Sequence, residues 1–350
     1  MDKLAKFAPM KIRLLCLVIL AGIISSCTRN EEQNRVFNLA DLYIAGDSTG
    51  DNKIVPVYWN NNIKTELPIS NSANSGFARC IKVIGPDVYI AGAEIDSNGF
   101  GFPVVWKNGI RTVLPTVDPR AEANGMYISG ADVYVVGYEQ NAANTERYPV
   151  LWKNGIRTRL TPAGVGGSAF SVVVSDQHVY IAGGWVENNQ FHPVLWTNGS
   201  RSLLSTTVQG VAYSVSLTGN DVYVSGAEIV NNSWYPVYWK NGVKVILPFD
   251  PSMNSAIASD IKVLNNDIYV TGTESLSNSP HTRAILWKNG VRSQLATLYN
   301  SIAYATSLFI TGSDIFVTGC DSGRPAYWKN GELFILGEGD CSGVSVTGRQ

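Results

Sequence analysis

The chain has 350 residues, of which 45% are hydrophobic and only 16% charged, with 33 Gly. This composition favours a folded, turn-rich β protein and argues against disorder or a coiled coil. The 27 Lys and Arg balance the 28 Asp and Glu, so the chain lacks the basic character expected of a nucleic-acid-binding protein.

The N-terminus has the pattern of a lipoprotein leader. Lys11 and Arg13 precede an apolar run over residues 14–24, and Ile24-Ser25-Ser26-Cys27 resembles the lipobox of bacterial lipoproteins. The run is too short for a transmembrane anchor, which needs about 20 residues. We expect residues 1–26 to be a signal peptide, Cys27 to carry the lipid, and residues 27–39 to form a tether.

The residue after Cys27 bears on localisation. Thr28 stands where Asp would signal retention in the inner membrane, so the same resemblance implies an outer-membrane lipoprotein facing the periplasm or the cell surface. Without residues 1–26, 23 basic and 27 acidic residues remain, a charge of −4. We expect a monomer that meets the membrane through its lipid and does not bind nucleic acid.

From residue 40 to residue 350 one unit repeats seven times, most clearly in DVYVVGYE with YPVLWKNGIRTRL and in DVYVSGAE with YPVYWKNGVKVIL. Each of units one to seven contains one repeated Gly and one repeated Trp. The glycines are Gly46, Gly92, Gly137, Gly183, Gly226, Gly272 and Gly319. The tryptophans are Trp59, Trp106, Trp152, Trp196, Trp239, Trp287 and Trp328.

Each unit divides into four short strands, here called a, b, c and d, without any 3.6-residue periodicity. Asn-Gly between strands c and d predicts a type I′ hairpin. It occurs at Asn108-Gly109, Asn154-Gly155, Asn198-Gly199, Asn241-Gly242, Asn289-Gly290 and Asn330-Gly331. Strands b and c are apolar on successive residues, so both sheet faces are covered. The pattern predicts an all-β, seven-bladed β-propeller with four antiparallel strands per blade.

Unit one supplies strands b, c and d over residues 42–67, but its strand a is poor. Residues 342–348 match strand a of unit five, so we expect the C-terminal strand, residues 344–348, to complete blade one and close the ring. The alternative is that residues 35–38 serve as this strand.

Three cysteines lie beyond the leader region, namely Cys80, Cys320 and Cys341. Cys320 and Cys341 fall on the same rim of adjacent predicted blades, so we expect them to form a disulfide. Two buried free thiols, or a Cys341–Cys80 pair, are the alternatives.

Two charged positions recur. Two residues after the repeated Gly, five of seven units carry an acid: Glu94, Glu139, Glu228, Glu274 and Asp321. These acids would bind a cation or a basic peptide if they converged on one face, or cap their own loops or pair with a nearby cation if they act locally. Strand d has a cation at its second position in six units, which we interpret as protection of an outer edge: Lys64, Arg111, Arg157, Arg201, Lys244 and Arg292.

The b-c loops vary between units and mix Asn with aromatic residues, a mixture that suits sugar recognition. Phe102, Tyr148, His192 and Tyr235 precede the same strand-c Pro and are interpreted as framework. Phe100, Trp185, Phe191 and Trp234 have no such equivalent and are the candidate binding residues, with ordinary loop packing as the alternative.

Motifs for chemistry are missing from the sequence. The three His stand at unlike positions of different repeats, and no hydrolase, nucleotide-binding or zinc motif occurs. We therefore predict no metal, no cofactor and no catalytic residue.

The b strands of the DVYVAG type, followed by WKNG, resemble the repeats of exported Gram-negative lipoproteins, akin to HAF-type extracellular repeats. They depart from kelch units, which have paired glycines, and from WD40 units, whose Trp-Asp is here Trp-Lys. The resemblance implies a propeller fold and export, but no reaction.

Lipid tether, rigid ring and variable loops together suggest a non-catalytic binding module of the cell envelope, with a glycan or a protein bound on the b-c loop face. A glycan-active hydrolase or lyase and a structural subunit of an outer-membrane assembly are the alternatives.

Overall fold

A computed structural model describes residues 42–50, 53–71, 74–143, 146–276, 279–298, 302–337 and 345–348. All of them belong to one compact unit, Asp41–Gln350. They form 28 strands and, within these ranges, no helix, which confirms the all-β prediction. Among the described residues, no helix has the length and apolarity needed to span a bilayer. The predicted signal peptide, Cys27, the tether and Cys341 lie outside the described residues.

Every repeat unit supplies consecutive strands. Units one and two contain β1 Leu42–Gly50, β2 Lys53–Asn60, β3 Ile63–Glu66, β4 Ser75–Ile84, β5 Asp87–Ile95, β6 Gly101–Lys107 and β7 Ile110–Val113. Units three and four contain β8 Arg120–Ser129, β9 Asp132–Gln140, β10 Arg147–Lys153, β11 Ile156–Arg159, β12 Gly167–Ser175, β13 His178–Glu187, β14 Gln190–Thr197 and β15 Ser200–Leu203. Units five and six contain β16 Gly210–Thr218, β17 Asp221–Val230, β18 Ser233–Lys240, β19 Val243–Ile246, β20 Ser255–Leu264, β21 Asp267–Ser275, β22 Thr282–Lys288 and β23 Val291–Gln294. Unit seven and the C-terminal strand comprise β24 Ala303–Thr311, β25 Asp314–Asp321, β26 Arg324–Lys329, β27 Glu332–Ile335 and β28 Ser345–Gly348.

The strands of each unit pair antiparallel in the order a, b, c, d, and the described strands form six sheets. One sheet has eight strands because units two and three are joined by a single parallel pair, Gly101 with Arg120. β28 pairs antiparallel with β1, from Leu42 opposite Gly348 to Ala45 opposite Ser345.

The predicted Asn-Gly hairpins are confirmed, because both residues have positive φ, for example 51° at Asn108 and 78° at Gly109. Asn108 also ties the turn to strand b: its Oδ1 accepts from the Val88 amide at 2.8 Å and its Nδ2 donates to Asp87 at 2.7 Å. Lys107 pairs with Asp87 at 2.9 Å and lies over the Tyr89 ring. The repeated DVY and WKN segments are therefore two halves of one surface cluster.

The repeated Trp residues are buried and link successive units. The core beside Trp106, for example, contains Tyr43 and Leu67 of unit one together with Ile81 and Ile90 of unit two. Four indole Nε1 atoms donate to carbonyls in the connection from the preceding unit, over 2.6–2.8 Å: Trp106 to Pro68, Trp152 to Pro115, Trp287 to Pro248 and Trp328 to Ala296. Each unit thus buries its apolar face against its neighbour, as a repeat architecture requires.

Strand a of units two to seven contains a β-bulge, which leaves one extra residue on that strand. The extra residues are Arg79, Asn124, Phe170, Tyr213, Ser259 and Thr306. The repeated Gly of strand b lies opposite each bulge, and a Cβ at Gly92 would come within 1.8 Å of the Phe77 carbonyl oxygen. Gly recurs here because the two backbones approach too closely for any side chain.

Candidate functional site

The recurrent glutamates are buried and locally paired. Their side chains are at most 2% exposed, and each forms an ion pair with the strand-d cation of its own unit. The pairs, at 2.5–2.7 Å, are Glu94 with Arg111, Glu139 with Arg157, Glu228 with Lys244 and Glu274 with Arg292. The interpretation of these strand-d cations as edge protection was therefore wrong for four units, because the cations point to a buried carboxylate of the same sheet.

Three of the four glutamates also hold the connection from the preceding unit, namely Glu94, Glu139 and Glu274. Glu94 accepts hydrogen bonds from the amide and hydroxyl of Ser70 and from Asn74 Nδ2, the last at 2.6 Å. Burial alone would raise the pKa of Glu94, but these hydrogen bonds and Arg111 lower it below its ordinary value. This geometry is that of the local role, with one oxygen left over, since Oε1 of Glu228 has no partner among the described residues.

The acid and the cation do not vary together along the chain, so their pairing could not be deduced from the sequence. In unit four, Trp185 takes the place of the acid, and the guanidinium of Arg201 lies 4.1 Å from its ring centroid. In unit seven, Asp321 is one methylene shorter and Leu333 replaces the cation.

Asp321 is therefore the exception among the five acids. Its side chain is buried, Oδ2 accepts only a 3.3 Å bond from the Leu298 amide, and Oδ1 has no partner among the described residues. Burial raises the pKa of Asp321, and the Leu298 amide and the Arg324 guanidinium offset only part of the rise.

This raised pKa makes Asp321 a destabilising group at neutral pH. Stability falls as the pH rises through the ordinary value of 3.8 and then through the higher folded-state pKa, because the folded state holds the proton longer. We expect Asp321→Asn to raise the urea midpoint at pH 7, with the gain vanishing below pH 3.8. Urea titrations across pH measure this, and a lower midpoint for the variant at pH 7 would contradict it.

The aromatic candidates are not gathered into one site. Trp185 is 8% exposed and packs in the core of unit four, so its placement on a loop surface was wrong. Phe191 is 39% exposed and lies against Gly184. Phe191 and Trp234 occupy the same hairpin position, opposite Val186 and Ile229.

Phe100 closes a tight turn, since its amide donates to Asp96 Oδ1 at 2.9 Å. Among the framework residues, Tyr148 is buried and donates to Glu139 at 2.9 Å. The framework interpretation of Tyr148 fits this contact.

A cavity of about 570 Å³ lies between the a strands of units two to seven, and we call it the strand-a cavity. All six bulge residues line it: Arg79, Asn124, Phe170, Tyr213, Ser259 and Thr306. Sequence reasoning did not predict this cavity, because the bulge position is one of several positions that differ between the a strands.

Asp260 joins three units at the cavity wall. Its carboxylate accepts from Ser214 Oγ of unit five at 2.6 Å, from Lys262 Nζ at 2.7 Å, and from the Leu308 amide of unit seven at 2.8 Å. Burial would raise the pKa of Asp260, but Lys262 and these hydrogen bonds lower it. Its contribution to stability is therefore present above pH 3.8 and is lost as the pH falls through the lowered pKa. Asp260→Asn is the control of opposite sign for Asp321→Asn, since it should destabilise at pH 7.

Two cysteines are described. Cys80 is buried and free, which excludes its pairing with Cys341. Cys320 is buried and disulfide-bonded, which excludes two free thiols. Because Cys341 lies outside the described residues, the Cys320–Cys341 disulfide stays a prediction. In the described ranges no three His, Cys, Asp or Glu side chains form a group that could hold a metal ion.

No family model matches the chain, and no curated protein matches it in sequence. Among solved structures, TolB from Acinetobacter baumannii aligns with a TM-score of 0.49 and 10% identity over 88% of this chain and 83% of TolB. The β-propeller domain of the trilobed protease from Pyrococcus furiosus aligns with a TM-score of 0.50 and 11% identity over 85% of this chain and 95% of that one. A prolyl endopeptidase aligns with a TM-score of 0.52 and 10% identity over 87% of this chain and 51% of its own. At such low identities, structural similarity shows the fold alone. The strands described above, together with the similarity to the trilobed-protease domain and the prolyl endopeptidase, establish a β-propeller.

Proposed function

We propose that the chain is a non-catalytic binding module of the bacterial cell envelope, and that its ligand enters the strand-a cavity. The observation that carries the proposal is a contrast between framework and lining. Gly, Trp and the Asp–Lys–Asn cluster recur from unit to unit, whereas the six bulge residues that line the cavity differ in charge, size and polarity. Packing requires the common residues, so selection for a ligand is expected where the symmetry breaks.

The proposal includes a ring of seven four-stranded blades. Units two to seven each supply four strands, and the eight-stranded sheet consists of two units joined through one residue pair. β28 adds a fourth strand to β1, β2 and β3. These pairings support β28 as the closing strand, because a propeller without closure would leave the inner edge of β1 unpaired.

The cavity replaces the b-c loop face as the proposed ligand site. Four of the five acids of that face are paired within their own units, and one of its four aromatic candidates is part of the core. The hydrolase or lyase alternative requires two carboxyl groups about 5–9 Å apart. Among the described residues that line the cavity, Asp260 is the one acid, and it is bonded to Lys262.

A variant that fills the cavity tests the ligand site. Ser216 lines the cavity, so Ser216→Tyr should abolish binding of hits from a glycan array or a pull-down while leaving the melting temperature unchanged. Trp234→Ala, on a b-c hairpin, is the control and should bind normally. Loss of binding in Trp234→Ala with retention in Ser216→Tyr would place the ligand on the b-c loop face instead.

Anchoring in the outer membrane is part of the same proposal and depends on Cys27. Cys27→Ser removes the thiol that would be acylated, so the protein should leave the membrane fraction and take up no labelled palmitate. A Cys16→Ser variant, in the apolar run, is the matched control. Membrane attachment of Cys27→Ser equal to that of the control would refute the lipid anchor.

A further inference from the structure

The strand-a cavity has an unusual charge for this chain. Among the described lining residues, Arg79, Lys82 and Lys262 oppose the single acid Asp260, a net charge of +2. The chain without residues 1–26 has a charge of −4. A positive cavity in an acidic protein attracts anionic ligands and repels cationic ones.

The three cations differ in their partners. Lys262 is held by Asp260 at 2.7 Å, and Arg79 pairs with Glu122 at 4.0 Å and lies over the Phe77 ring at 4.7 Å. Within the described part of the chain, Lys82 forms no ion pair, unlike the Lys residues of the WKN clusters. Arg79 and Lys82 lie on the same strand, β4, so they mark one wall of the cavity as the anion-binding side.

Aromatic and hydroxyl groups occupy the wall formed by units four and five. Phe170 and Tyr213 have ring centroids 5.7 Å apart, and both line the cavity. Burial raises the pKa of Tyr213 to about 12, so its hydroxyl keeps its proton as a hydrogen-bond donor. Ser171, Ser214 and Ser216 add hydroxyl groups nearby. Aromatic faces beside hydroxyls suit a sugar ring, which is apolar on its face and polar at its edge.

We infer that the strand-a cavity binds a carboxylate-bearing sugar, a hexuronate unit of an acidic glycan, and this inference rests on the binding function proposed above. The carboxylate faces Arg79 and Lys82, and the ring lies against Phe170 and Tyr213. A volume of about 570 Å³ is that of a small-molecule site, so a short oligosaccharide or a chain end fits and a folded protein does not.

Calorimetry on the full chain tests the inference with oligo-hexuronates of several ring stereochemistries, with neutral hexose oligomers of equal length, and with an acidic peptide. We expect a hexuronate to bind about tenfold or more tightly than its neutral counterpart, and added salt to weaken it. Lys82→Gln should weaken hexuronate binding about tenfold. Lys64→Gln, the same charge change on the exposed strand β3, is the matched control and should bind as the wild type does.

Four results would overturn the inference. Equal affinity for neutral and acidic sugars, or equal affinity of Lys82→Gln and the wild type for the hexuronate, would remove the anionic preference. Binding of the acidic peptide without any hexuronate would identify an acidic polypeptide as the ligand. Absence of hexuronate binding would reject the sugar class. The binding function itself fails if neither the array nor the pull-down yields a ligand, whereas a neutral or peptide ligand that Ser216→Tyr displaces would overturn the hexuronate inference alone, so the two failures are distinguishable.

Discussion

Replacement of Gly137 by Ala is expected to lower the free energy of unfolding by about 3 kcal/mol. A Cβ at this position would lie 1.8 Å from the Glu122 carbonyl oxygen and 2.9 Å from its carbonyl carbon. Both are backbone atoms of the bulged strand β8, so no rotamer change relieves the clash, and strands a and b must separate. The midpoint of urea unfolding measures the effect.

Gly130→Asn is the matched control in the same unit. Gly130 has a φ of 58° and open space around its Cα, and Asn265 occupies the equivalent turn of unit six at a φ of 50°. Since Asn tolerates this conformation, the change should stay within about 0.5 kcal/mol. Equal midpoints for Gly137→Ala and Gly130→Asn would show that the bulge does not require Gly.

Replacement of Arg292 by Leu is expected to cost about 3 kcal/mol, because it leaves the Glu274 carboxylate buried without its cation. The guanidinium donates to both carboxylate oxygens, Nε to Oε1 at 2.5 Å and Nη2 to Oε2 at 2.6 Å. After the substitution, the Asp250 amide, at 3.1 Å, is the one donor to Glu274 that remains among the described residues. Urea unfolding of the single and double variants measures the coupling.

The double variant Glu274→Met with Arg292→Leu should recover much of the loss, since it removes the uncompensated charge. Lys288→Leu is the control, because its partner Asp267 is 37% exposed and the Lys itself 51%, and such surface pairs contribute about 1 kcal/mol or less. A cost for Arg292→Leu no larger than that for Lys288→Leu would mean that the buried pair contributes little.

The strands and turns of this chain could be predicted because their signals are local. An Asn-Gly pair adopts positive φ wherever it connects two strands, so Asn108-Gly109 and its equivalents predicted the c-d hairpins without knowledge of the rest of the fold. The repeated Trp likewise indicated a buried position, because seven copies at one place in a unit imply a common packing role.

The charged positions were harder to interpret, because a residue's face depends on strand pairing. Arg292 of strand d lies opposite Trp287 of strand c. Its guanidinium nevertheless extends past strand c and donates to Glu274 of strand b. The position of Arg292 on strand d, considered alone, indicates an exposed edge. The pairing of strands b, c and d shows instead a buried ion pair between Arg292 and Glu274.

The amino-acid sequence by itself determined the repeat, the four strands of a unit and the hairpins, since these follow from side-chain alternation and turn chemistry within a few residues. Only the tertiary structure decided where the residues that differ between units come together. Arg79, Phe170 and Tyr213 belong to units two, four and five, and one bulge in each strand a directs them to the same cavity. A bulge is a property of the register between two strands, and a cavity depends on how six such strands pack, so neither follows from any single segment.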